Sequence, residues 1–275
     1  MTELPPSISE AAPASGRFSR RFWPLFLLGL PGIATLPLVL VPMLREQPLP
    51  PEMPQLPLPV LVALSMINPV LYLAGGVALG AGLAPRLGLV SLVALRAETG
   101  VSIWPRLRAQ APLAIGAGLG LSAVTVLLDA AFQPYLGDAW REAAAKTVEP
   151  GTLGALLSGL LYGGITEELM VRWGLLSLFA WAAWRLFQRG RATPSAAVLW
   201  SAVLLSAVLF GLGHLPAVSA LVPLTPMIVL RTIALNALGG FVFGWLFWKR
   251  SLEAAMLAHA SGHIGCALLT WTGLA

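Results

Sequence analysis

Two adjacent glutamates and an arginine stand in a part of the sequence that is otherwise apolar. Glu167, Glu168 and Arg172 fall within the apolar run 153–184. An unpaired charge at the centre of a membrane-spanning helix costs at least ~2.5–3.5 kcal/mol, and intramembrane ionisable groups usually serve a function. Arg172 follows Glu168 by four residues, so the two can pair on one helical face. Glu167 lies about 100° away round an α-helix, which leaves it available for chemistry on another wall.

The three histidines of the chain all follow these glutamates. His214 ends the segment Phe210-Gly-Leu-Gly-His214, and His259 and His263 enclose the segment His259-Ala-Ser-Gly-His263. Four residues apart on a helix, His259 and His263 point the same way. A hydrogen bond to a backbone carbonyl would explain any one buried histidine. Three imidazoles beside a buried pair of carboxylates favour a chemical site.

Two chemistries fit these groups. In the first, a glutamate takes a proton from water and imidazoles stabilise the oxyanion of a hydrolysis reaction. In the second, His214, His259, His263 and Glu167 bind zinc through three imidazoles and one carboxylate. The His-Glu-x-x-His zinc motif is absent, because Ala260 stands where its glutamate would be. No serine lies in a Gly-x-Ser-x-Gly turn, so an acyl-enzyme route has no support.

Other polar groups in apolar runs receive structural interpretations. Arg231 is expected to extend to the outer membrane interface, and Asn236 to join helices through hydrogen bonds. Asp129 is expected to lie at an interface, without a role. Cys266 is the single cysteine, so no internal disulfide can form.

Composition places these residues in a membrane protein. Of 275 residues, 57% are hydrophobic and 11% are charged, with a mean hydropathy of +0.81, whereas roughly 25% are charged in a soluble domain. The fold class predicted is therefore an all-α, polytopic transmembrane helix bundle in a lipid bilayer. The net charge of +5 is spread singly between apolar runs, which argues against nucleic acid as a partner.

Seven apolar runs predict about seven spans. Residues 1–21 are interpreted as a disordered cytoplasmic N-terminus, and residues 22–149 as N-terminal transmembrane helices with a cytoplasmic amphipathic segment at 85–111. The 37 residues of run 151–187 would form a helix of roughly 55 Å, too long for one ~30 Å crossing. Either this helix projects into the cytoplasm or it breaks near Gly163-Gly164. The predicted spans are 22–43, 60–83, 112–132, 151–187, 195–214, 228–248 and 252–271.

The distribution of basic residues predicts the orientation. Alternate loops place twelve Lys and Arg on the side of the N-terminus and three on the other side. The positive-inside rule then predicts a multi-pass protein of the cell membrane with a cytoplasmic N-terminus.

Three motifs resemble those of a known family. Glu167-Glu168-Leu-Met-Val-Arg172, Phe210-Gly-Leu-Gly-His214 and His259-Ala-Ser-Gly-His263 resemble the Glu-Glu-x-x-x-Arg, Phe-x-x-x-His and His-x-x-x-Asn/Asp motifs of the CPBP (ABI) family of CAAX-prenyl and bacteriocin-processing intramembrane proteases. They follow the family's order and spacing over roughly residues 150–270. His263 departs from the pattern, because it stands where the family has Asn or Asp.

The resemblance implies a metal-independent, glutamate-type intramembrane endopeptidase whose catalytic part is residues 150–275. It implies that Glu167 and His214 activate water, that His259 and His263 stabilise the oxyanion, and that Glu168 and Arg172 form a supporting ion pair. The expected substrate is a peptide or membrane protein, reached through a cavity that opens toward the cytoplasm. Prenylated CAAX proteins, bacteriocin leader peptides and tails of sorted surface proteins all fit.

Three alternatives stay open at this stage. The histidine at position 263 strengthens a zinc-dependent protease, with His214, His259, His263 and Glu167 as ligands. A bacteriocin-immunity or sensor protein could bind a peptide or a membrane partner through the same groups without catalysis. A transporter could use buried carboxylates as a proton relay, although the sequence shows no inverted repeat.

Overall fold

A computed structural model of the chain describes residues 14–46, 56–146 and 152–274. Helices form its regular structure, and no strand occurs among these residues. The predicted disordered N-terminus lies outside the described residues as far as residue 13, and residues 14–21 belong to the first helix. The α-helices are α1 (Ala14–Thr35), α2 (Pro37–Glu46), α3 (Leu58–Ser65), α4 (Ile67–Leu83), α5 (Leu92–Thr99), α6 (Trp104–Phe132), α7 (Asp138–Lys146), α8 (Leu153–Ser158), α9 (Ser177–Phe187), α10 (Ala196–Gly213), α11 (Leu215–Ser219), α12 (Pro226–Lys249) and α13 (Leu252–Trp271).

The chain is a multi-pass, all-α membrane protein. In the described residues, six helical stretches are long and apolar enough to cross a membrane, and they correspond to six of the predicted spans. The other predicted span, 151–187, is not among these six, although it is helical from residue 153. The six stretches are Arg17–Arg45, Leu58–Leu87, Trp104–Tyr135, Ala196–Ser219, Pro226–Lys249 and Leu252–Trp271.

Residues 153–187 form one continuous helix, here called the central helix. Helices α8 and α9 are its two ends, and two π-helical stretches, Gly159–Glu167 and Leu169–Leu176, lie between them. The helix therefore does not break at Gly163-Gly164, which was one of the two possibilities that the sequence left open. Wider π-helical turns within α-helices occur often at functional sites, and here they include Glu167 and Arg172.

The third span begins earlier than the sequence predicts. Helix α6 starts at Trp104, and Pro112 lies inside it rather than at its start. Pro105 occupies the first turn of α6, where a missing backbone N–H does no harm. The predicted amphipathic segment 85–111 is therefore divided between α5 and the first two turns of α6.

Basic residues gather at one end of the bundle, here called the arginine end. Helix α1 begins there, and Arg21 pairs with Glu98 of α5 at 2.5 Å and donates to the carbonyl of Ala81 at the end of α4. Helix α13 begins there too, where Glu253 accepts hydrogen bonds from Ser91 Oγ and from the first backbone N–H groups of α5. The end where α1 finishes and the central helix starts is called the opposite end.

The central helix occupies the middle of the core. Its residues Leu169, Trp173 and Leu176 are at most 1% exposed, and they pack with buried side chains of α4, α10 and α12. Gly174 faces Gly76 of α4 so closely that a Cβ on Gly174 would lie 2.6 Å from the Gly76 Cα. Such close backbone approach is typical of glycine at membrane helix interfaces, and it fixes the rotation of the central helix.

Candidate active site

One cavity of about 410 Å³ brings together four of the predicted site residues. Glu167 comes from the central helix, His214 from the junction of α10 and α11, and His259 and His263 from α13. Groups up to 96 residues apart in the sequence therefore face one space. The cavity is also lined by Leu36, Val39, Ala155, Leu156, Ser158, Gly159, Tyr162, Gly163, Phe210 and Asn236.

The two adjacent glutamates face different walls. Glu167 is half-buried and lines the cavity. Glu168 is fully buried and lies between two partners: its Oε1 is 2.9 Å from His259 Nδ1, and its Oε2 is 3.3 Å from Arg172 Nε. The ion pair within the central helix is thus present, and Glu168 also holds an imidazole, which the sequence did not indicate.

The contact with Glu168 orients His259. A carboxylate accepts hydrogen bonds, so the ring proton of His259 is on Nδ1, and the Nδ1–H group donates a hydrogen bond to Glu168. The other ring nitrogen, Nε2, then faces the cavity. Phe243 stacks on this imidazole with centroids 4.4 Å apart, and His263 stacks at 5.0 Å. The rotation of the His259 ring is therefore fixed by a hydrogen bond and by two ring contacts.

Arg172 is a fully buried cation with few polar partners. In the described part of the chain, none of its guanidinium nitrogens makes a hydrogen bond. Its guanidinium carbon lies 4.5 Å from the ring centroid of Phe210 and 5.4 Å from that of Phe243, distances at which a cation is attracted to an aromatic face. Glu168 and the two rings together stabilise this charge.

The spacing of Phe210 and His214 has a local explanation. His214 caps α10, and its Nδ1 lies 2.8 Å from the Phe210 carbonyl oxygen four residues earlier. A carbonyl can only accept, so Nδ1 is the donor and Nε2 of a neutral His214 is left with a lone pair. The Phe210 ring contacts the His214 ring edge-on at 4.7 Å and also covers Arg172. Phe210 thus links the cavity to the buried ion pair.

Two glycines of the central helix make room for the imidazoles. A Cβ on Gly159 would lie 2.6 Å from Cγ and Nδ1 of His263, and a Cβ on Gly163 would lie 2.6 Å from His263 Nε2 and 3.4 Å from His259 Nε2. In the sequence, two glycines four residues apart indicate only that helices pack closely. The structure shows that both glycines also lie against the imidazoles of the site.

Asn236 was also misjudged from the sequence. Its amide Nδ2 donates to the carbonyl of Thr232 in its own helix at 2.8 Å, and the residue lines the cavity. The interpretation as a group that joins helices is therefore wrong for this hydrogen bond. Tyr162 and Ser158 are further polar lining residues that were not singled out, because neither belongs to a motif.

Arg231 and Asp129 pair with each other away from the cavity. Arg231 Nε lies 2.5 Å from Asp129 Oδ1, and its guanidinium carbon lies 4.4 Å from the centroid of a ring of Trp140. The sequence did not indicate this ion pair, which gives Asp129 a structural role, and the expected position of both residues at an interface stays a prediction. This pair joins α6 to α12, because burial favours pairing of the two charges over separate solvation.

The described residues do not fit a zinc site. Among them, no group of three or more His, Cys, Asp or Glu side chains is arranged to hold a metal ion. The alternative set of His214, His259, His263 and Glu167 therefore has no support from this geometry, and metal-independent hydrolysis stays a prediction.

Comparison with known proteins bears on the same region. The family model of type II CAAX prenyl endopeptidase Rce1-like proteins matches residues 149–264. This part of the chain therefore has the sequence pattern of that family. The match includes all seven motif residues, from Glu167 to His263, and it agrees with the CPBP resemblance. No curated protein and no solved structure matches the chain.

The match to the Rce1-like family indicates the general activity. It implies a peptidase of the CAAX-protease type, embedded in a membrane and acting on a peptide or protein. The matched region begins just before the central helix and ends within α13. It therefore contains every helix that supplies a predicted catalytic side chain to the cavity.

Proposed function

We propose that the protein is an intramembrane endopeptidase that hydrolyses a peptide bond of a membrane-associated protein or peptide without a metal ion. The observation that supports this most directly is the single cavity shared by the Glu167 carboxylate and the three imidazoles. A carboxylate is a general base for water, and imidazoles supply or accept protons around it. The family match to peptidases supports the reaction class.

Glu167 and His214 are the water-activating pair in this proposal. Glu167 takes one proton from a water molecule, and the other hydrogen stays on the water oxygen and donates a hydrogen bond to the lone pair on Nε2 of His214. The oxygen then attacks the scissile carbonyl carbon, and the tetrahedral intermediate carries the negative charge. Collapse of the intermediate breaks the C–N bond, and the leaving amine takes up the proton that Glu167 received.

His259 and His263 form the oxyanion side. Glu168 holds Nδ1 of His259, so Nε2 is directed to the reacting carbonyl and donates to the oxyanion when it is protonated. The neighbouring carboxylate stabilises the imidazolium, as in other carboxylate–histidine pairs. His263 replaces the Asn or Asp of the family motif, and a neutral imidazole can supply one hydrogen bond.

The proposed setting is the cell membrane with a cytoplasmic N-terminus. Twelve Lys and Arg residues lie in loops on the side of the N-terminus against three on the other side, which is the distribution that the positive-inside rule associates with the cytoplasm.

Replacement of the proposed base tests the reaction. In the purified, reconstituted protein, Glu167→Gln and His214→Ala should each lower kcat/KM for quenched fluorescent peptides by roughly 10²–10⁴-fold. Glu142→Gln is the matched control, because it makes the same change at an exposed glutamate of α7 and should leave the rate unchanged. A chelator should have no effect.

Two results would contradict this proposal. Cleavage by Glu167→Gln at the wild-type rate would exclude Glu167 as the base, and loss of activity on chelation that zinc restores would favour the metal-dependent alternative. A wild-type protein that binds peptides in the cavity but cleaves none of them would favour the immunity or sensor alternative.

A further inference from the structure

The cavity lies toward the opposite end of the bundle. Its outer lining residues are Leu36 and Val39, which follow the end of α1, and Ala155 and Leu156, which lie in the first turn of the central helix. His214 follows the last residue of α10, a helix that starts at the arginine end. Within the described residues, the loops and helix termini of the arginine end contribute nothing to the lining.

A dry layer closes the cavity toward the arginine end. Glu168, Arg172 and Trp173 of the central helix and Phe247 of α12 are each at most 1% exposed. The rings of Trp173 and Phe247 meet at a centroid distance of 6.1 Å. These buried side chains lie between Glu167 and the arginine end, and the described residues show no opening of the cavity in that direction. Access to Glu167 is from the opposite end.

The arginine end carries the charges that mark the cytoplasmic side. Helix α1 starts there, with its three arginines at 17, 20 and 21, and α12 ends there with Lys249 and Arg250. The fold gathers these residues at the same end as Arg185 of α9 and the loop after it. At the opposite end, Arg231 is neutralised by Asp129. The basic residues that lie on one side in the predicted topology are therefore also concentrated at one end of the folded bundle.

We propose that the cavity opens on the non-cytoplasmic side of the membrane, so that the enzyme cleaves polypeptide segments that have already reached that side. The choice of substrate rests on the proposed peptidase function, whereas the direction of access does not. This proposal departs from the sequence-based expectation of a cavity open to the cytoplasm, which was made without knowing which end of the bundle the lining residues occupy.

The lining also limits the chemistry of the substrate. Among the described lining residues, Glu167 is the one carboxylate and no lysine or arginine occurs, and the entrance is formed by Leu36, Val39, Ala155 and Leu156. Burying an unpaired charge is costly, so the segment that enters should be uncharged and apolar around the scissile bond. Such a segment fits a protein tail or leader peptide held at the outer leaflet of the membrane.

Thiol labelling tests the direction of access without reference to catalysis. In a Cys266→Ala background, Ala155→Cys places a thiol at the cavity entrance, and Ala192→Cys places one in the exposed loop at the arginine end. A membrane-impermeant maleimide added to intact expressing bacteria should label Ala155→Cys. The same reagent should label Ala192→Cys only in inside-out vesicles.

Each other labelling pattern overturns the inference. Labelling of Ala155→Cys only in inside-out vesicles would place the entrance in the cytoplasm, and labelling of Ala192→Cys in intact bacteria would reverse the orientation of the bundle. An Ala155→Cys thiol that reacts from neither side would show that this entrance is closed. Adding Glu167→Gln to the Ala155→Cys protein should leave labelling unchanged, because access does not depend on the proposed base.

A second measurement connects access to the substrate. Ala155→Trp should obstruct the entrance and lower kcat/KM for an apolar, membrane-impermeant peptide at least tenfold, while Ala192→Trp should have no effect. Bacteria that express the wild-type protein should cleave this peptide when it is added outside. Expected labelling without cleavage would contradict the peptidase function and keep the direction of access, whereas cleavage only in inside-out vesicles would contradict the direction.

Discussion

The two sides of the central helix carry similar chemical groups in different surroundings. On the cavity side, Glu167 is half-buried and stands near three imidazoles. On the packed side, Glu168 and Arg172 are fully buried, and the charge of each is compensated by the other and by fixed neighbours. Adjacent carboxylates in one helix can therefore serve different purposes, since a carboxylate that faces a cavity can do chemistry and a carboxylate in a buried ion pair stabilises the fold.

Glu168→Gln, on the packed side of the central helix, should have the largest effect on stability. This change removes the carboxylate charge and leaves Arg172 buried without an opposite charge, which should lower the free energy of unfolding by about 3–5 kcal/mol. Glu167→Gln should leave this free energy nearly unchanged while it lowers kcat/KM by roughly 10²–10⁴-fold. Chemical unfolding of both variants in the same detergent measures the difference, and equal losses of stability would refute the division of roles.

A double replacement tests whether the uncompensated charge of Arg172 causes this loss of stability. Removing a whole buried ion pair in favour of apolar side chains is often neutral or stabilising, so Glu168→Leu with Arg172→Met should be at least ~2 kcal/mol more stable than Glu168→Gln alone. Its activity should stay low, because His259 loses the carboxylate that orients its ring. A double variant as unstable as Glu168→Gln would show that the penalty does not arise from the uncompensated arginine.

The cavity side can be disturbed without removing any charged group. Gly159→Ala and Gly163→Ala each place a Cβ 2.6 Å from the His263 ring, which must move, and a displacement near 1 Å should lower kcat by roughly 10- to 100-fold. Gly75→Ala is the matched control, because nothing lies within 4 Å of its added Cβ. Full activity in the Gly163→Ala protein would mean that the position of His263 is not important for the reaction.

The smallest effect is expected at the ion pair of Asp129 and Arg231, which lies outside both the cavity side and the packed side of the central helix. Asp129→Asn weakens the partly exposed contact with Arg231, so it should lower the free energy of unfolding by about 1 kcal/mol or less and leave kcat/KM unchanged. Thermal unfolding and the peptide assay measure the two quantities. A large loss of activity in this variant would show that the α6–α12 contact is coupled to the site.

Much of the architecture could be predicted because it depends on local properties. Apolar runs long enough to cross a bilayer are visible in the sequence, and six of them are helices in the structure. The helix start at Trp104 was missed, because Pro105 and Pro112 both allow a start and only packing selects between them. The continuity of the central helix was open for a similar reason, since Gly163-Gly164 fits either a break or a close contact.

The candidate site could be predicted in part. Residue types and spacings indicated Glu167, His214, His259 and His263, and these four line one cavity. The contact between Glu168 and His259 joins positions 91 residues apart, and no pattern within either helix shows it. The roles of Gly159 and Gly163 were missed for the same reason, because a glycine has meaning only when the neighbour that occupies its missing side chain is known.

By itself, the sequence determined that this chain is a membrane-embedded helical bundle and that its polar groups are of the kind that hydrolyse peptides. Hydropathy, helical spacing and basic-residue asymmetry are properties of short stretches of chain, so they need no tertiary contacts. Only the tertiary structure decided which glutamate faces the cavity, what orients His259 and toward which end of the bundle the cavity lies. Those features depend on how the helices rotate and pack against one another, and packing is a property of the whole bundle.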